Sequence, residues 1–276
     1  MHKILLSCLC VATLGVSAGS IPEYRILLSL TPESNLLRNP GFDRRDAAGN
    51  PEHWFFDNCT RNPLLLESRE ELDGNPVAMI RVADVDTPEL YGYWGQSLTL
   101  PSAGKYEFRC RLRTEDMSFA YWLSNYDGSI TALRMFSAAS GERSREILGK
   151  FIDPEWLVTY HPAEWRPLGV DIEVPELSHD GFFTVKIGAM AASAGWMAVD
   201  DAWFGLLPLP VNVTVNGTGV TGLTIRRDSD TIATLALNPA LAAQTVQIAL
   251  PSGLERYFWE VSTSDKQTFR MDPEWQ

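Results

Sequence analysis

Apolar and charged residues alternate with a period of two over residues 105–113, and this pattern constrains the fold more than any other. The segment reads KYEFRCRLR, so that Tyr106, Phe108, Cys110 and Leu112 share one side. Successive side chains of a β-strand point to opposite faces of the sheet. The segment therefore predicts a strand with one buried face and one charged face.

Similar segments recur along most of the chain, separated by Gly, Pro or Asp-Gly turn signals. The predicted strands are Val77–Ala83, Trp94–Leu100, Lys105–Arg113, Met117–Asn125, Ile130–Phe136, Leu168–Val174, Phe182–Ala189, Trp196–Phe204, Val211–Val215, Gly222–Arg226, Thr231–Leu237, Thr245–Leu250 and Arg256–Val261. Short strands at this spacing predict an all-β fold built from antiparallel sandwiches. Residues 142–151 are left open between a short helix and an irregular segment.

The N-terminus has the pattern of a secretory signal peptide. A basic start at Lys3 precedes a mostly apolar run from Ile4 to Val16, and small residues precede a cleavage point before Gly19. The run is too short for a membrane span, which needs about 20 residues. We therefore expect residues 1–18 to be removed and the mature protein to be secreted or extracytoplasmic.

The remaining chain divides into two predicted β domains. A lead segment at 19–33 precedes a β-sandwich at 34–207, called the first domain below. The break falls at Leu206–Pro210 (LLPLP), after which the composition shifts to Val, Thr and Ala. Residues 208–276 then form a second, smaller β domain, for which an immunoglobulin-like sandwich is one candidate. Its strands continue almost to Gln276, so a longer chain of which this is the N-terminal part is an alternative.

Net charge and motifs exclude several functions. The chain has 23 Lys and Arg against 35 Asp and Glu, a net charge of −12, which argues against nucleic acid as a partner because phosphate binding needs clustered cations. The histidines at 53, 161 and 179 are isolated, and no nucleophile elbow or phosphate-binding loop occurs. The acids at 142, 146 and 155 are interpreted as surface residues. We therefore predict no catalytic residues.

Two cysteines, Cys59 and Cys110, remain after removal of the signal peptide. An oxidising compartment permits a disulfide bond between them. The alternative is that both are small buried apolar residues. The sequence leaves both open.

Three motifs, taken in order, resemble the carbohydrate-binding modules of the family 4/9/22 type. They are NLLRNPGFD at 35–43, GNPEHW at 49–54 and WMAVDDAWF at 196–204. The resemblance covers about residues 34–207 and implies a galactose-binding-like jelly roll of two antiparallel sheets. Within it, Phe42 and Trp54 are expected in the core.

The same resemblance implies a structural Ca²⁺ that joins the opening loop to the last strand of the first domain. Carried over residue by residue, it implicates Asp43 and Asp200, with the carbonyl of Gly41. Ca²⁺ takes six to eight oxygen ligands, including backbone carbonyls. The alternative is that Asp200 accepts backbone N–H bonds at a turn.

Aromatic residues indicate where a sugar chain could bind. Trp122 and Tyr126 alternate with the apolar residues of their predicted strand, and Arg109 and Arg111 alternate with those of the strand before it. Sugar sites pair flat aromatic rings with planar polar groups. We expect the two strands to be neighbours, so that these residues form one groove, with Tyr91 and Tyr93 as an added wall. The alternative is that residues 141–164 cover this face and bury Trp122 as a packing residue.

The signal peptide, the lack of catalytic motifs, the resemblance and the groove together predict a secreted, non-catalytic protein or module that binds poly- or oligosaccharide. Two alternatives stay open: a structural or adhesive module of an exported assembly, and the N-terminal accessory part of a longer glycoside hydrolase.

Overall fold

The computed structural model describes residues 24–57, 65–68, 71–82, 89–115, 117, 119–125, 130–137, 157–159, 163–177, 181–191 and 195–276. The predicted signal peptide and residues 142–151 lie outside these ranges. Within them, no helix has the length and apolar character needed to cross a membrane. The fold is all-β, as the alternation predicts, and all thirteen predicted strands are confirmed with boundaries shifted by a few residues.

The first domain is a sandwich of two sheets. The six-stranded sheet consists, in spatial order, of β11 (Leu157–Thr159), β10 (Ile130–Ser137), β9 (Phe119–Asn125), β13 (Phe182–Ala191), β7 (Glu89–Thr99) and β2 (Phe55–Asp57). The five-stranded sheet consists of β12 (Arg166–Val174), β8 (Gly104–Glu115), β14 (Gly195–Leu206), β6 (Ala78–Val82) and β3 (Leu65–Ser68). A small hairpin, β4 (Glu71–Leu72) and β5 (Asn75–Pro76), precedes β6. Apart from the parallel pair β10 and β11, neighbouring strands are antiparallel.

The core of the first domain lies between these sheets. The apolar side of the 105–113 segment is buried as predicted, since Tyr106 and Phe108 have no exposed surface and Cys110 and Leu112 are at most 4% exposed. The ring of Phe108 on β8 stacks on that of Tyr121 on β9, with 4.0 Å between centroids. This pair joins the two sheets across the core.

The opening motif folds as a loop organised by one asparagine. Asn39 has a positive φ of 49°, and its side-chain amide donates to the carbonyls of Arg44 and Glu52. The indole nitrogen of Trp54 donates to the carbonyl of Asn39, and the Trp54 ring lies 4.8 Å from that of Phe42. Phe42 and Trp54 are 0% and 4% exposed, which confirms both as core residues.

The second domain is also a sandwich. One sheet has the order β18 (Ala243–Leu250), β15 (Leu209–Asn216), β1 (Arg25–Leu30) and β21 (Glu274–Trp275). The other has the order β17 (Asp230–Ala236), β16 (Val220–Arg227), β19 (Phe258–Thr263) and β20 (Thr268–Met271). Strand β1 comes from the lead segment and pairs with β15 over six residues. Sequence reasoning did not predict this strand.

The chain therefore passes twice between the domains. A 3₁₀ turn at Pro32–Ser34 follows β1, and Leu207 with Pro208 separates β14 from β15. Trp203 of β14 is 3% exposed and packs in the core of the second domain. The two sandwiches are thus in direct contact.

Candidate functional site

The predicted groove does not form as proposed from the sequence. Strands β8 and β9 follow each other along the chain but belong to different sheets. Arg109 and Arg111 on β8 are therefore not on a strand next to that of Trp122, and the prediction that the two strands are neighbours is wrong. Tyr126 lies outside the described residues, as do the side chains of Trp122 and Tyr91.

The charged side of β8 carries three arginines that each contact a tryptophan. The guanidinium carbons of Arg109, Arg111 and Arg113 lie 4.1, 5.2 and 5.6 Å from the ring centroids of Trp275, Trp165 and Trp196, respectively. Each arginine also faces a carboxylate, with N–O distances of 3.4 Å to Glu107, 3.4 Å to Asp201 and 2.8 Å to Asp73, in the same order. Because Trp275 belongs to the second domain, that domain covers the Arg109 end of this face. Arg109 and Arg111 are thus occupied by contacts within the protein.

The outer side of the six-stranded sheet presents a different cluster, which we call the aromatic face: Phe55, Asp57, Tyr93, Gly95 and Lys186. Phe55 is 41% exposed and pairs in register with Gly95. A Cβ atom at Gly95 would lie 2.5 Å from Cζ of Phe55. The glycine therefore lets the phenyl ring lie directly on the neighbouring strand.

Tyr93 contacts this ring edge-on. It is only 8% exposed, with its ring 6.0 Å from Phe55 in an edge-on arrangement. Its hydroxyl donates to Asp57 over 2.7 Å, and Nζ of Lys186 lies 4.6 Å from its ring centroid. Tyr93 was predicted as a wall of the groove, and the structure makes it a member of the aromatic face, in contact with Phe55, Asp57 and Lys186.

Register places Trp122 in the same row of the sheet. Lys186 of β13 is paired with Gly95 on one side and with Trp122 on the other. Adjacent strands are about 4.8 Å apart, so Phe55 and Trp122 stand about 14 Å apart across three strand spacings. Sequence reasoning missed Phe55 and Lys186. Three aromatic residues in a row at 54–56 show no alternation that would single out Phe55, and its partner strand could not be read from the sequence either.

The second candidate site joins the opening loop to β14. A pocket of about 300 Å³ is lined by Gly41, Asp43, Asn75, Pro76, Arg111, Asp200 and Asp201. Asp200 is 6% exposed, and its Oδ1 accepts the amide hydrogen of Asp201 over 2.8 Å. The pairing of β14 with β8 is irregular here, and Asp201 has a positive φ of 50°. The bend turns the Asp201 carboxylate towards Arg111.

Three carboxylates, those of Asp43, Asp200 and Asp201, line this pocket together with the guanidinium of Arg111. Burial, followed by repulsion from Asp201 and Asp43, raises the pKa of Asp200 to about 6. Within the described ranges, no group of three or more His, Cys, Asp or Glu side chains is arranged to hold a metal. A cation here would thus depend on the carboxylates of Asp43 and Asp200 together with carbonyl oxygens such as that of Gly41. This donor set fits Ca²⁺, which accepts carbonyl ligands readily.

Cys110 is a free and buried thiol. Its side chain is 4% exposed and belongs to the core of the first domain. Cys59 lies outside the described residues.

Comparison with known proteins finds likeness in structure alone. No protein-family model matches the sequence, and no curated protein matches it either. One similar solved structure is that of a family 4 carbohydrate-binding module, at 15% identity and a TM-score of 0.43, covering 61% of this chain and 97% of that one. Another is a family 61 module in complex with β-1,4-galactotriose, at 16% identity and a TM-score of 0.37, covering 62% and 97%. A third is a xylan-binding family 22 module from Paenibacillus barcinonensis, at 12% identity and a TM-score of 0.34, covering 60% and 90%.

These neighbours are carbohydrate-binding modules, the class that the sequence motifs resemble. Each aligned region has the length of a single module. More than a third of this chain lies outside it.

Proposed function

We propose that the first domain binds carbohydrate chains on the aromatic face, without chemistry, in an exported protein. The observation that carries the proposal is the exposed ring of Phe55, whose far end lies close over Gly95 beside charged and hydroxyl groups. The sequence motifs at 35–43, 49–54 and 196–204 support the same class of function by resemblance.

The chemistry of the aromatic face suits a sugar ring. A pyranose has apolar C–H surfaces surrounded by hydroxyl groups, so it stacks on an aromatic ring and hydrogen-bonds at its edge. Phe55 offers the ring. Asp57 can accept and Lys186 can donate hydrogen bonds at its border, and both are held near Tyr93. Gly95 gives strand β7 a position without a side chain, so the Phe55 ring lies close to the strand and a sugar chain can lie across it.

We expect Phe55→Ala to weaken polysaccharide binding about tenfold. Stacking of a base on an aromatic side chain, a loose analogue, contributes about 1–3 kcal/mol, and 1.4 kcal/mol is a factor of ten in affinity. The measurement is a glycan array followed by titration of the best polysaccharide with the mature protein. Leu241→Ala is the matched control, because Leu241 is a large apolar residue of the second domain that is 48% exposed. Loss of binding in both variants, or no retention of wild type by any glycan, would contradict the proposal.

We propose further that Asp43 and Asp200 hold a structural Ca²⁺ with the Gly41 carbonyl. A ligand that binds only the folded state stabilises it by about 2.7 kcal/mol at a hundredfold excess over Kd. Removal of calcium with a chelator should therefore lower the melting temperature by several degrees. Asp200→Ala should abolish this difference. Asp201→Asn should retain it, since the Asp201 carboxylate faces Arg111. A wild-type melting curve that the chelator leaves unchanged would reject the site.

A further inference from the structure

An acidic residue with no exposed surface lies at the contact between the two domains. Glu107 belongs to the charged side of β8, which the alternation predicts to face solvent, yet it is 0% exposed. Its neighbour in register on β14 is Gly205, which has no side chain, and its neighbour on β12 is Asp171. The loop that follows β18 in the second domain fills the space above it.

This loop binds Glu107 through neutral groups. The amide of Gly253 donates to Oε2 of Glu107 over 2.7 Å, and the hydroxyl of Ser252 lies 3.2 Å from the same oxygen. The fit is close, because a Cβ atom at Gly253 would lie 2.1 Å from Nη1 of Arg109 and 2.8 Å from Oε1 of Glu107. Leu254 reaches over to Gly169 of β12. The loop thus seals the carboxyl group from water.

The carboxylates of Glu107 and Asp171 have fewer hydrogen-bond donors from the protein than two carboxylates require. Oγ of Ser252 lies 3.2 and 3.3 Å from the two oxygens of Asp171 as well, yet a hydroxyl has a single proton to donate. Oε1 of Glu107 is buried and accepts no hydrogen bond from the described residues. Like charges directly opposite each other on neighbouring strands are destabilising.

One cation faces this acidic pair. Nε of Arg109 lies 3.4 Å from Oε1 of Glu107. Among the described residues, the charges that act on Glu107 are Arg109 from its own strand and Asp171 from β12. β14 places the uncharged Gly205 beside it, and the second-domain loop meets it through Gly253 and Ser252. The charged residues of that loop, Glu255 and Arg256, contact Arg227 and Phe258 instead. Asp171 is exposed to solvent and Glu107 is not. Of the two acids, Glu107 is therefore the one whose charged form the site disfavours.

We propose that Glu107 holds a proton in the folded protein and that the contact between the two domains weakens as this proton is lost at rising pH. Burial, opposed by Arg109 and aided by Asp171, raises the pKa of Glu107 above its ordinary value of 4.5. A group with a raised pKa in the folded state binds more protons there than in the unfolded chain, so its contribution to stability is complete below pH 4.5. That contribution falls as the pH passes through the raised value.

The test compares wild type with Glu107→Gln, which keeps the shape of the protonated acid and cannot ionise. Melting temperatures are measured from pH 5 to pH 8.5, with Glu173→Gln as the matched control on β12, since Glu173 is exposed. We expect the melting temperature of wild type and of the control to fall with pH relative to that of Glu107→Gln. Parallel curves for all three proteins would overturn the proposal.

Two further readouts locate the effect at the domain contact. Hydrogen exchange at the Gly253 amide, corrected for its intrinsic pH dependence, should accelerate towards pH 8.5 in wild type and not in Glu107→Gln. Carbon-13 titration of the glutamate carboxyl groups should show one resonance, absent in Glu107→Gln, that titrates above 4.5. If that resonance titrates at or below 4.5, Glu107 is ionised and the proposal fails. Should Glu107→Gln not fold, the Glu107 carboxyl resonance is assigned through its bonded backbone atoms in wild type, and its titration decides alone.

Discussion

Replacement of Phe108 by alanine is expected to lower the free energy of unfolding by about 3–5 kcal/mol, the usual cost of truncating a buried aromatic side chain. Phe108 has no exposed surface, and its ring stacks on Tyr121 of the opposite sheet. Its removal therefore takes away a contact that no rearrangement within one sheet can restore, and the cavity opens at the centre of the first domain.

Phe182→Ala is the matched control for this effect. Phe182 is the first residue of β13 and is 39% exposed, and a surface substitution of this kind usually changes stability by less than about 0.5 kcal/mol. Urea unfolding followed by far-ultraviolet circular dichroism measures both variants. Similar losses in the two would mean that Phe108 does not join the sheets as described.

The strands were predictable because their signal is local. A period of two needs only four to eight consecutive residues, and at 105–113 each apolar position predicted as buried is buried. The motif at 35–43 was recognised by its resemblance to a known family, and the residues that give the loop its shape, Asn39 and Phe42 with positive φ angles, lie within the motif itself. Local conformation and the identity of the core thus follow from nearby residues.

The arrangement of strands into sheets could not be predicted, because it depends on distant partners. β8 and β9 alternate in the same way and are adjacent in sequence, but a jelly roll places them on opposite sheets. This error combined residues of two different sheets into one candidate groove. Likewise β1 pairs with β15, nearly two hundred residues away, and nothing in its own sequence indicates that partner.

Structural roles explain most of the tryptophans in the chain. Of the nine in the chain, four are buried in cores: Trp54, Trp94, Trp203 and Trp259. Three more lie against arginines on the outer side of the five-stranded sheet: Trp165, Trp196 and Trp275. Structural roles thus account for seven. Arg109 and Arg111 contact tryptophans that are distant in the sequence. Because these partners could not be read from the sequence, the two arginines were predicted to be available for a sugar.

Trp122→Ala is expected to weaken carbohydrate binding at least tenfold while leaving the fold intact. Position 122 lies between Tyr121 and Leu123, which are 1% and 0% exposed in the core, and it pairs in register with Lys186 of the aromatic face. An aromatic platform is worth about 1–3 kcal/mol by analogy with base stacking. Titration with the polysaccharide chosen for wild type measures the loss, and urea unfolding monitors stability. A fall in stability of about 3–5 kcal/mol with unchanged affinity would instead make Trp122 a packing residue.

The double variant with Phe55→Ala tests whether one sugar chain spans both positions. Phe55 and Trp122 stand about 14 Å apart, and substitutions separated by more than about 7–10 Å usually have additive free energies. If a chain crosses the sheet and contacts both, two tenfold losses should multiply to about a hundredfold loss on a long ligand. A ligand too short to reach from one position to the other should lose affinity in only one of the single variants. Equal losses in single and double variants on every ligand would show that the two residues do not act as separate platforms.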